Sequence, residues 1–153
     1  MLLRTHIAIT ILAVLLFLSS FEHKIFLVFF ALLGTALPDV DSKFSFLGRK
    51  LPSRIIQIFT KHRGILHSFT FLMIITLVLI FIFPIAAFPL FLGYSLHLFL
   101  DSFTIEGIFP FYPWKKNVCG SIKTGKIVDT SMFIFFGIVD LLILFLVVYS
   151  FFY

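Results

Sequence analysis

The sequence predicts an all-α membrane protein: one domain over residues 1–153, a bundle of about five transmembrane helices with a short amphipathic helix in the membrane surface. Three observations predict it. Of 153 residues, 61% are hydrophobic and 24 are Phe, and the mean hydropathy is +1.17. Several stretches approach or exceed the roughly 20 apolar residues that cross a bilayer core. Eleven of the twelve Lys and Arg fall on alternate connections between those stretches, the bias that orients polytopic membrane proteins. That placement accounts for the net charge of +5. With no basic run interleaved with aromatics, nucleic acid is excluded as a partner. Cys119 is the single cysteine, which rules out an intrachain disulfide and a cysteine-based metal site.

The first span is residues 7–21, behind a short start that carries Arg4 and His6. A basic start and an apolar run also describe a signal peptide. Leu18-Ser19-Ser20 is a poor cleavage site, however, and later spans already commit the chain to the membrane, so this reads as a retained helix. Glu22-His23-Lys24 is a polar turn. The second span, 25–37, is about 20 Å of helix at roughly 1.5 Å per residue, short for a core of about 30 Å. Lys24 can snorkel at one end, and Pro38-Asp39-Val40-Asp41 sits at or below the interface at the other. Asp39 and Asp41 need a partner at that depth, unless they only form an Asx turn.

Residues 42–64 are a basic connection. Over 52–61, Ile55, Ile56, Ile58 and Phe59 oppose Ser53, Arg54, Gln57 and Lys61, which predicts a helix lying in the interface. His62-Arg63-Gly64-Ile65-Leu66-His67-Ser68 then opens the third span. His62 and His67 stand five apart and do not share a helix face. Gly64 predicts a bend, with His62 entering from the loop and His67 from the helix, and Ser68 as a hydrogen bonder at the helix entry.

Residues 65–100 carry no charged side chain. Pro84 and Pro89 divide them into spans of about 65–83 and 86–101. His97 and Asp101, four apart, share one face of the second. An Asp at the centre of a membrane helix costs about 2.5–3.5 kcal/mol on insertion scales, so either a metal ion or a His–Asp hydrogen bond offsets it. Residues 102–130 leave the membrane, with Trp114 suited to the headgroup belt and a turn at Lys123-Thr124-Gly125-Lys126. Asp129-Thr130-Ser131 offers N-caps for a last span at 132–152. Within that span, Asp140 reads as structural, hydrogen-bonded to a neighbouring helix.

Five spans put the N-terminus, 38–64 and 102–130 on one side, which the basic residues mark as cytoplasmic. The expected location is therefore the inner (cytoplasmic) membrane, multi-pass. On the same side fall His6, Asp39, Asp41, His62, His67, His97, Asp101 and Asp129, whereas Glu22, His23 and Asp140 do not. Convergence from several membrane entrances predicts one shared site facing the cytoplasm. Imidazoles and carboxylates without a thiolate suit a divalent ion, zinc first, with manganese or magnesium as alternatives. The candidate ligands are His6, Asp39, Asp41, His62, His67, His97 and Asp101, enough for one or two ions. Asp39, His67 and Arg63 are the candidate catalytic residues. Arg63 either grips a phosphate bidentately or belongs to the orienting charge.

The pieces His6, Leu37-Pro38-Asp39-Val40-Asp41, His62-Arg63-Gly64-Ile65-Leu66-His67-Ser68 and Leu96-His97-Leu98-Phe99-Leu100-Asp101 resemble the YdjM-type inner-membrane proteins, described as metal-dependent hydrolases. Thr104-Ile105-Glu106-Gly107 and the aromatic patch up to Trp114 continue the likeness. That family in turn resembles zinc-dependent phospholipase C and the single-strand nucleases of its fold. The resemblance implies that His6, Asp39, His62 or His67, His97 and Asp101 follow the order of part of a multi-zinc ligand set. The chain has no histidine after His97, so one or two ions are expected rather than three. Asp129 stands where relatives carry a Glu. The expected function is a metal-dependent hydrolase acting on a phosphoester, a lipid or lipid-linked phosphate in the membrane. The alternative is a non-catalytic metal-binding membrane protein with a structural or regulatory role. A proton-coupled carrier fits less well, because only Asp140 lies along a transmembrane path.

Overall fold

The computed structural model describes residues 1–41, 64–114 and 116–152. The interfacial helix expected at 52–61, together with His62 and Arg63, lies outside the described residues. Five α-helices are present among the described residues: α1 (Leu3–Phe17), α2 (Lys24–Ala36), α3 (Phe69–Ile82), α4 (Pro84–Ser102) and α5 (Ile127–Phe152). No β-strand occurs among the described residues. Two of these helices are long and apolar enough to cross a membrane, α4 with 19 residues and α5 over Ile127–Tyr149. The other three have 13 to 15 residues, about 20–23 Å of helix.

Several boundaries differ from the sequence expectation, and two of the differences matter for the site. α1 starts at Leu3 rather than residue 7, which places His6 inside the helix, fully buried. α5 starts at Ile127 rather than 132, so Asp129 is an early helical residue and not its cap. The break between α3 and α4 is one residue wide. Phe83 is extended (φ −148°, ψ 72°) and Pro84 opens α4, because a residue before proline avoids the helical region and proline is tolerated where no intrahelical N–H is needed. Pro89 lies inside α4 and does not end it.

The centre of the bundle is α2 against α4, a contact made at backbone distance. A Cβ on Gly93 would lie 1.9 Å from the Ala31 carbonyl oxygen, and one on Gly34 would lie 2.4 Å from that of Leu90. Small residues that let helix backbones approach are the usual device in lipid, where apolar burial alone does not drive helices together. Around this crossing pack Leu72, Leu90, Tyr94, Leu98 and Ile108 on one side, and Val14, Leu27 and Ala31 on the other. Rings of Phe17, Phe21, Phe26, Phe83 and Phe88 meet at the end where α1 turns into α2.

α5 is attached at its start. Asp129 accepts hydrogen bonds from Thr5 Oγ1 (2.6 Å), the Gly125 amide (2.7 Å) and the Leu2 amide (3.1 Å), tying the beginning of α1 to the beginning of the last helix. The Gly125 amide is aimed there by the Lys123–Lys126 turn, where Gly125 takes φ +73°. A left-handed position at the third residue of such a turn favours glycine. Asp129→Ala leaves these donors without their acceptor, at about 1–3 kcal/mol in total. The expected result is a thermal unfolding midpoint in detergent lower by roughly 2–10 °C, measured by circular dichroism, with Asp129→Asn losing less.

Further along α5, Asp140 is covered (9% exposed), yet its Oδ1 has no hydrogen-bond partner among the described residues. The interhelical bond expected from the sequence is not made at that atom. α1, against which α5 packs, has its hydroxyls engaged elsewhere: Thr5 with Asp129, Thr10 with Thr35.

Candidate metal centre

Five side chains meet at the end of the bundle where α1, α3 and α5 begin and α2 and α4 finish. His6 comes from the first turns of α1, and His97 and Asp101 come from the last turns of α4, where the i, i+4 spacing stacks them on one face. Asp39 follows α2 on the 3-10 turn Pro38–Asp41. His67 sits on the 3-10 turn Ile65–His67, one residue before Ser68 caps α3. His67 therefore enters from a tight turn, not from the helix as expected. Ser68 is a helix-entry hydrogen bonder as expected: its hydroxyl donates to the Ile65 carbonyl (2.6 Å) and accepts from the Phe71 amide (3.2 Å).

The ligand-type atoms face each other. His6 Nε2 is 3.3 Å from Asp101 Oδ1, and His97 Nε2 is 3.8 Å from Asp101 Oδ2 and 3.9 Å from Asp39 Oδ1. His67 Nε2 is 3.8 Å from Asp39 Oδ1 and 4.0 Å from Asp101 Oδ2. Two groupings can hold a metal ion, His6–His97–Asp101 and Asp39–His67–His97, each with its atoms within 4.8 Å of one another. His6, His67 and His97 are fully buried, and Asp101 is 2% exposed. The Asp39 side chain is the most open, at 19%. Its burial still pushes the carboxyl above the usual carboxylate range, against the opposing pull of His67 and His6.

The decisive detail is the orientation of His97. Its Nδ1 lies 2.7 Å from the Thr35 carbonyl oxygen. A carbonyl only accepts, so Nδ1 carries the proton, and in the neutral ring the Nε2 lone pair points at the Asp39 and Asp101 carboxylates. An imidazole lone pair and two carboxylates face one buried space, in which the Met1 amino group also pairs with Asp101. Among the described residues, His97 Nε2 and His6 Nδ1 find no hydrogen-bond partner, and orphaned buried polar atoms are costly. Metal-ligating histidines commonly donate their second N–H to a backbone carbonyl, as His97 does here. Four-coordinate zinc holds N and O ligands at about 2.0–2.2 Å, which sets neighbouring ligand atoms roughly 3.3–3.6 Å apart. The observed contacts run from 3.3 to 4.0 Å within groupings up to 4.8 Å across, an arrangement of donors able to hold a metal ion.

The sequence did not point to the groups that brace the site. Thr10 and Thr35 share a hydroxyl–hydroxyl bond of 2.7 Å, and Thr35 Oγ1 donates to the Ala31 carbonyl at 2.9 Å. This knot holds the end of α2, and with it the Thr35 carbonyl that orients His97. The Tyr94 hydroxyl donates to the Leu66 carbonyl, anchoring the turn that carries His67. The only signal in the sequence was hydroxyls inside apolar runs, groups that need a partner when buried. The Met1 amino group donates to Asp101 Oδ1. His6, Asp39, His67, His97 and Asp101 are thus brought together. Asp129 is near α1 but is committed to its three hydrogen bonds. Asp41 closes its turn, and its side chain, like His62 and Arg63, is not among those described.

Neither the curated proteins nor the solved structures contain a match to the chain. The family model described as YdjM inner membrane protein matches residues 1–153; the chain belongs to that family.

Proposed function

We propose that the chain is a membrane-embedded, metal-dependent hydrolase of phosphoesters, with its site at the cytoplasmic leaflet of the inner membrane. The observation that carries this reading is the His97 lone pair facing two carboxylates in a buried space shared with His6 and His67. His6, Asp39, His67, His97 and Asp101 hold the ion, zinc first, with His97 kept in register by the Thr35 carbonyl. Asp41 and His62 remain candidate ligands in the same segment of chain. When bound, such an ion polarises a phosphoryl oxygen and acidifies water at neutral pH. Asp39, on the open side, can take a proton from attacking water, His67 steadies that carboxylate, and Arg63 grips the phosphate. In this reading the chain crosses the membrane five times with its N-terminus in the cytoplasm, and this end of the bundle lies at headgroup depth, where a phospholipid or lipid-linked phosphate presents its ester.

A second reading, a non-catalytic metal centre, is favoured by one observation: all the described ligand-type side chains except Asp39 are buried, and structural metal sites are closed whereas catalytic ones keep an open position. Phosphodiesterase and phosphatase assays on mixed lipids separate the two. Turnover that chelator abolishes and zinc restores supports the enzyme; metal-loaded protein that turns over no phosphoester leaves the structural centre. The bound metal should also respond to pH. Ligands must shed protons to bind. Because burial raises the Asp39 carboxyl, it takes up its proton at a higher pH than an exposed Asp. Affinity is therefore expected to fall on acidification, as read by metal titration from pH 8 to 5.

A further inference from the structure

On the outside of the junction between the 103–126 connection and α5 is a cleft of about 820 Å³. It is separate from the metal centre and lined in part by Ser121, Lys123, Lys126, Ile127, Val128 and Thr130. Its charge is one-sided. Two lysines line it, and Arg4 reaches it by donating to Thr130 Oγ1 at 3.2 Å. No acidic residue is among those lining it. Asp129, the carboxylate closest in sequence, is turned inward onto Thr5, Gly125 and Leu2; its single negative charge is outnumbered by Lys123, Lys126 and Arg4. The other wall is apolar and uncovered: Ile127 is 82% and Val128 48% exposed. They open the helix whose outer face continues through Ile134, Phe135, Ile138 and Leu142, all more than half exposed.

We propose that this cleft is a docking site for an anionic phospholipid, its phosphate between Lys123 and Lys126 and its acyl chains along Ile127, Val128 and the exposed face of α5. Charge complementarity and the direct continuation from cationic rim to apolar helix face select this occupant over a soluble anion, which has no use for the apolar wall. The lipid sits beside the first turn of α1, on the opposite side of Thr5 and Asp129 from the metal ligands, and its binding does not depend on metal or on turnover.

The test is native mass spectrometry of the detergent-solubilised full chain titrated with phosphatidylglycerol or phosphatidylcholine. The wild-type protein is expected to retain phosphatidylglycerol in preference to phosphatidylcholine. Removing one lysine should weaken retention roughly five-fold, and Lys123→Ala/Lys126→Ala by roughly the product of the two, in keeping with the effect of single basic residues on anionic lipid. Lys24→Ala, the same charge removed at the far end of the bundle, should leave retention unchanged. Ser121→Trp, which places a bulky ring in the cleft without altering charge, should reduce it. Equal retention of the two lipids, equal loss in Lys24→Ala, undiminished retention in Ser121→Trp, or displacement by millimolar inorganic phosphate alone would each overturn the proposal. Metal content, measured on the same samples, is expected to be unaffected in every variant.

Discussion

The double variant His97→Ala/Asp101→Ala is expected to lose its metal outright. Removing an outer-shell partner of a ligand already costs roughly 10–100-fold in metal affinity, and here two groups that face the ion are removed together. A drop of more than about 100-fold follows, read as metal content by plasma mass spectrometry after purification in limiting zinc. The two single variants should each fall between the wild type and the pair. Full occupancy in the double variant would remove the ligand assignment, and with it the hydrolase reading. Fold integrity is monitored by helical circular dichroism, since both residues lie on one exit turn of α4 and neither carries the helix crossing.

Gly93→Ala is the second large effect. Its new methyl would sit 1.9 Å from the Ala31 carbonyl oxygen and 2.8 Å from Thr35 Oγ1, both inside van der Waals contact, and a backbone carbonyl cannot rotate away. α2 and α4 must move apart, and overpacking of this kind costs about 1–3 kcal/mol. The displacement also draws the Thr35 carbonyl away from His97 Nδ1, so metal affinity should fall along with the unfolding midpoint. Gly137→Ala is the control. Nothing lies within 4 Å of its Cβ position, and alanine gains helix propensity of about 1 kcal/mol over glycine, so stability should hold or rise slightly. Equal behaviour of the two variants in thermal unfolding would contradict the close crossing.

Much of the site was legible because its chemistry is discordant with its surroundings. His97 and Asp101 at helical spacing in an uncharged run, Asp39 after a proline at a helix end, and His6 and His67 at the entrances of other spans are groups that lipid does not tolerate singly. Their shared side followed from counting alternations of apolar stretches. Helix starts were less legible. The expectation began α1 and α5 where the unbroken apolar runs begin, whereas both start earlier, on polar turns held by Asp129, Thr5 and Gly125. The bonds from Thr5 and Leu2 to Asp129 join residues more than a hundred positions apart and leave no local pattern. The bracing of His97 was out of reach for a different reason: a main-chain carbonyl at Thr35 has no signature in a string of side chains. Gly34 and Gly93 were visible as letters, but only the packed helices show that each admits a neighbouring backbone.

The order in which the binding groups leave the ribosome has a bearing on biogenesis. His6 is made before His97 and Asp101, which complete its surroundings and follow about ninety residues later. Until α4 has been inserted, the nascent chain holds unpaired imidazoles and acids at a bilayer boundary with nothing to gather them. Assembly of the cluster is therefore a late step in biosynthesis, and a chain stalled before α4 lacks it.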